Sequence, residues 1–180
     1  MNKKLILIEL NEINFDILKK YSNIINFKFF NEEFFKNLKI TSSEKIYENL
    51  EPWIQWVSVH TGLSASEHKI FRLGDISNSD LKQIFEIVES KGYDVGAICP
   101  MNAKNNLKKY KYFIPDPWTK TEKPKNFLQK IIYSSLSEAV NDNSKGKLSI
   151  KNKFIILFLF LYFFKGKSFF KFIDYYIKSI

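Results

Sequence analysis

Glu51-Pro52-Trp53-Ile54-Gln55-Trp56-Val57-Ser58-Val59-His60-Thr61-Gly62-Leu63, running on to Glu67-His68-Lys69-Ile70, carries its own start and stop signals for a helix. Pro52 suits a first helical position, Glu51 favours the positive end of the helix dipole, and Gly62 is the usual residue just past a last turn. The pattern predicts a helix from Pro52 to Thr61. Its two tryptophans share one face, while Gln55 and Ser58 share another. The start of such a helix is a ready anion site.

Working outward, Leu5 to Leu10 is a short continuous apolar run with Glu9 near its end. It reads as a buried parallel strand whose C-terminal edge carries polar groups, the edge where ligands gather in open α/β sheets. Asn14 is placed to cap a helix from Phe15 to about Tyr21, Glu32 to Leu38 looks helical, and Lys39 to Ser43 is a candidate second strand. Asn78 or Ser79 is placed to cap a helix from Asp80 to about Ser90, in which Leu81, Ile84, Phe85 and Val88 recur at i, i+3, i+4 and i+7. Tyr93 to Cys99 follows as a strand, with Cys99 expected in the core. Pro115-Asp116-Pro117-Trp118 fixes a rigid extended turn, and Asn126 to Val140 reads as helix. Strand, helix and strand in this order predict an α/β fold, a parallel sheet flanked by helices across 1–140. A solvated linker at 141–150 and an apolar, basic-flanked helical tail at 151–180 complete the expected organisation.

With 180 residues, 45% hydrophobic and 26% charged, the chain is long enough for one domain with a real core. Its formal charge of +9 suits nucleic acid, anionic lipid or an anionic substrate, but the excess is lysine in a chain also rich in Asn, Ile and Phe, and an AT-rich genome gives that composition without any partner. The lysines are scattered and no zinc-finger spacing or aromatic RNA-binding motif occurs, so nucleic acid is not expected. A single cysteine excludes an internal disulfide and a cysteine-based metal cage. The apolar run after Met1-Asn2-Lys3-Lys4 is broken at Glu9, too soon for a signal peptide, which points to a cytoplasmic start. Near the other end, Phe154 to Phe164 is an unbroken apolar run of eleven residues flanked by Lys151, Lys153, Lys165 and Lys167. A spanning helix needs about 20. Three readings of this tail stand: a buried helix pair with partners beyond Ile180, peripheral membrane contact through 154–180, or a short re-entrant piece.

The order Thr61-Gly62-Leu63 then His68-Lys69-Ile70 resembles the alkaline-phosphatase superfamily of phosphatases, nucleotide phosphodiesterases and sulfatases, in which a nucleophile-bearing helix ends in Thr-Gly and is followed by His-Gly-Ile. Leu5 to Leu10, then Asn11-Glu12 and Asp16-Ile17-Leu18, resembles the superfamily's opening strand, which ends in a metal-binding Asp. The resemblance covers roughly the first 75 residues and is strongest to a bacterial branch of longer proteins, so it implies the N-terminal portion of an alkaline-phosphatase-like core with a missing C-terminal half. It further implies a divalent metal (zinc, manganese, magnesium or calcium) at Asn11, with Glu9 and Glu12 beside it, and structural or rim positions for Thr61, Gly62 and His68. The implied substrate is a phosphate or sulfate ester, a small anion or a glycan or lipid precursor.

Two departures bear on chemistry. Nine residues before Thr61, where such enzymes carry their nucleophile, stands Pro52, and the first metal-binding Asp is replaced by Asn11, a weaker ligand. A hydrolytic reaction would therefore use a metal-bound water, with Glu51 as a nearby base. Two functions follow: a metal-dependent phosphoester or sulfoester hydrolase, or a catalytically inactive domain of the same fold that binds an anionic ligand or partner.

Overall fold

The computed structural model describes residues 4–22, 30–39, 41, 44–122, 124–142 and 148–163. The chain forms two compact units, Met1–Pro52 and Trp53–Ile180.

In the first unit, α1 spans Phe15–Ser22 and α2 spans Glu32–Lys36, followed by a 3₁₀ turn at Tyr47–Asn49. An asparagine side chain starts each helix: Asn14 Oδ1 accepts from the Ile17 N–H at 3.0 Å and Asn31 Oδ1 from the Phe34 N–H at 2.9 Å. Phe34 gathers Phe30 edge-on at 4.9 Å between ring centroids, with Phe15 at 6.5 Å. The expected strand at Leu5 to Leu10 is not formed. That segment is irregular, and its side chains face solvent, Leu5 at 87% and Ile6 at 83% exposure. An apolar run becomes a strand only where another strand accepts its backbone hydrogen bonds, and among the described residues this unit contains none. For the second expected strand, Lys39 is irregular while 40, 42 and 43 lie outside the described residues.

Helix α3, Pro52–Thr61, lies on the predicted bounds, and all of it but Pro52 belongs to the second unit. Gly62 takes φ +74°, its N–H bonding Ser58 O at 2.8 Å, which ends the helix in a left-handed turn. Then α4, Ala65–His68, is started by Ser64, whose N–H and hydroxyl both donate to Glu67 Oε2, at 2.8 and 2.6 Å. Those two donors hold the Glu67 carboxyl below the usual glutamate range. Helix α5 spans Ile84–Ser90, four residues shorter at its start than the pattern of apolar residues predicts. The cause is Gln83, fully buried: its Nε2 donates to Lys104 O at 2.8 Å and its Oε1 accepts from Lys104 N at 3.1 Å. This side-chain mimic of a strand pairing holds Gln83 extended, so helix begins only after it.

Strands β1 (Gly96–Ile98) and β2 (Tyr112–Ile114) pair in parallel, Ala97 opposite Phe113. One further bond lies at each end, Lys111 N to Val95 O and Cys99 N to Ile114 O. The long helix α6, Phe127–Asn141, is capped by Asn126, and α7 follows at Ile150–Phe163, packed on α6. The architecture is α/β and mostly helical; the described sheet has two strands, in place of the larger helix-flanked parallel sheet that the sequence predicts. Phe85, Val95, Ala97, Ala103, Leu107 and Phe113 form its main core, with Phe85 edge-on to Phe113 at 5.6 Å. A second cluster joins Val57 of α3 to Ile70, Ile76 and Leu81. Cys99, expected in the core, is instead exposed with φ +49°, because the chain leaves β1 there in a left-handed turn.

Lys69 ends α4 at φ +56°, in the left-handed region, and stands where the resembled motif has glycine. A side chain in that region costs about 1–2 kcal/mol, partly offset in glycine by the larger entropy of its unfolded chain. Lys69→Gly is therefore expected to stabilise the protein by about 0.5–1 kcal/mol in urea unfolding, whereas Lys69→Val should destabilise it.

Candidate functional site

The carboxyl ends of β1 and β2 run into two turns, Cys99–Asn102 and Pro115–Thr119, that meet at a pair of buried polar side chains. Asn102, at φ +49°, is fully buried. Its Nδ2 donates to Trp53 O at 2.9 Å and Arg72 O at 3.2 Å, and its Oδ1 accepts from Gly74 N at 2.9 Å. Its own N–H donates to Asp116 Oδ2 at 2.7 Å. Asp116 also accepts from the Thr119 hydroxyl at 2.6 Å on Oδ2, and from the Trp118 and Thr119 N–H groups, both at 2.8 Å, on Oδ1. Gly74 is needed here: a Cβ on it would sit 3.1 Å from Trp118 O, and its φ of +86° already disfavours a side chain.

Chemically the pair is saturated. A carboxylate offers about four acceptor sites, and Asp116 fills four with protein donors. Neither oxygen is left to ligate a metal or take a proton from a substrate, so the pair organises the strand ends without acting on a ligand. Cys99 lies beside it; desolvation of its sulfur and the nearby Asp116 charge both raise its pKa, keeping it a thiol at neutral pH.

Ser58 of α3 and His68 of α4 are in contact, Ser58 Oγ lying 3.1 Å from His68 Nε2. The Ile70 N–H donates to His68 Nδ1 at 3.0 Å, which requires the neutral ring to carry its proton on Nε2. The imidazole therefore donates to Ser58 and does not accept its proton, the reverse of a nucleophile–base pair. Buried at 4% exposure, His68 works as a bracket between α3 and the chain after α4.

The remaining predicted site residues are placed as follows. Thr61 Oγ1 donates to Val57 O at 2.7 Å and accepts from Leu63 N at 3.3 Å, and Gly62 makes the turn. Glu9 is half-buried and Asn11 exposed on the irregular N-terminal segment, followed by the exposed Glu12 at φ +56°. Glu51 is exposed, just before α3. Among the described residues no three His, Cys, Asp or Glu side chains converge in the manner of a metal site. Trp118 is exposed at the surface.

Asn102, Asp116 and Gln83 were not singled out by the residue pattern. For Asp116 a local signal existed: an aspartate between prolines with threonine three residues on is the composition of an Asx turn. Asn102 gave none, because its partners lie 14 to 49 residues away. Replacing one Asp116 oxygen by an amide NH2 turns a donor toward donors in a dry site. Asp116→Asn is expected to cost about 2–4 kcal/mol in urea unfolding, and Trp118→Ala, on the exposed side of the same turn, less than about 1 kcal/mol.

Compared with protein-family models, with curated proteins and with solved structures, the chain matches none.

Proposed function

We propose that this chain is a non-catalytic domain, built like the N-terminal portion of an alkaline-phosphatase-like core, that binds a phosphate or sulfate ester borne on a glycan or lipid precursor. The carrying observation is Pro52 as the first residue of α3. That residue occupies the place where the resembled enzymes hold their nucleophile, and a proline ring offers no group to attack phosphorus or sulfur. The Ser58–His68 pair supports the same reading, since its proton sits on the nitrogen that faces the hydroxyl. The charge of +9 favours an anionic ligand.

Turnover of p-nitrophenyl phosphate, bis-p-nitrophenyl phosphate and p-nitrophenyl sulfate, each with zinc, manganese, magnesium or calcium, is expected to equal the protein-free blank. Titration with a phosphorylated sugar, followed by amide chemical shifts, is expected to saturate and to weaken with salt, whereas the unphosphorylated sugar leaves the spectrum unchanged. Metal-dependent turnover abolished by Asn11→Ala would overturn this reading and establish the hydrolase, with Asn11, Glu9 and Glu12 on the metal and Glu51 as base.

A further inference from the structure

The surface of α7 is at odds with a helix exposed to water. Asn152 is fully buried, its Nδ2 donating to Ser135 O of α6 at 3.2 Å, and Ile155 and Leu159, three and seven residues on, are half-buried on the same face. The opposite side carries Phe154, Leu157, Phe158 and Leu161, spaced i, i+3, i+4 and i+7 and all exposed, Phe154 at 67% and Leu161 at 62%. Phe127 of α6 extends this face at 74% exposure. It stands with Phe154 and Phe158 around an open apolar groove of about 430 Å³, whose one charged lining residue is Lys151.

We propose that this face of α7, with Phe127, is a docking surface for an anionic lipid bilayer, lying in the interface with its axis along the membrane. Packing decides the mode: one side of α7 is held on α6 through Asn152, which leaves the opposite side open to lipid, and no helix among the described residues is long and apolar enough to cross a membrane. Charge decides the partner. The helix contains no acidic residue, Lys151 and Lys153 are exposed at its start, and Lys130 is exposed on α6 one turn beyond Phe127. An aromatic and aliphatic face rimmed by lysine fits the acyl–headgroup boundary, where rings enter the apolar layer and ammonium groups meet lipid phosphates. In a symmetric pair of copies joined through this face, Lys151 and Lys153 of each copy would lie at the same seam.

The test is flotation of the 180-residue chain with vesicles of phosphatidylcholine alone and of phosphatidylcholine with one quarter phosphatidylglycerol. Binding is expected to the anionic vesicles only, and to weaken with salt. Lys151→Ala with Lys153→Ala should lower the affinity about 25-fold, about fivefold per lysine, and Phe154→Ser with Leu161→Ser at least about tenfold. Because these side chains face solvent, the variants should keep the parent's unfolding midpoint. Equal binding to both vesicles, no binding, binding unchanged in the variants, or a dimer in light scattering that the Phe154/Leu161 variant abolishes would each overturn the proposal.

Discussion

Asn102 and Asp116 form the contact on which the second unit depends. Between them they hold the start of α3 through Trp53 O, the Arg72–Gly74 turn, and the chain as it leaves both strands. A two-stranded sheet of three-residue strands is too small to be stable alone, so the turns at its carboxyl end must be fixed from elsewhere. Buried polar groups do that only when every donor and acceptor is matched, since an unmatched one costs about 1–3 kcal/mol. Here the match is complete, and it accounts for the left-handed backbone at Asn102, a conformation that asparagine tolerates better than most residues.

The same logic separates structural chemistry from catalytic chemistry. Asp116 and His68 are residue types that commonly act on substrates, and both are buried near the helix that carries the resembled motif. Their hydrogen bonds show otherwise: Asp116 has no open acceptor, and His68 presents a proton to Ser58 where a base would present a lone pair. The polar groups around α3 therefore build a rigid frame.

Legibility in the sequence followed the range of the controlling interaction. The bounds of α3 were written in Pro52 and Gly62, and the start of α1 in Asn14, because caps act within a turn. The apolar run of α7 was equally plain. Leu5 to Leu10 misled because an apolar run specifies that a segment avoids water, while strand formation needs a neighbour whose position is not written locally. The start of α5 was misplaced for a related reason, its true cap being set by Gln83 reaching Lys104, 21 residues away. The candidate site divides the same way: Thr61 and Gly62 act locally and were visible, whereas the Asn102–Asp116 pair was not.

Amide hydrogen exchange on the parent and on Asn102→Ala tests the central claim, that this pair ties the turns into one cooperative unit. Gly74 and Thr119 are expected to share one opening free energy in the parent and both to lose protection in the variant, although the Thr119 N–H bonds only Asp116. If Thr119 keeps its full protection when Asn102 is removed, the turns are held separately and the account is contradicted.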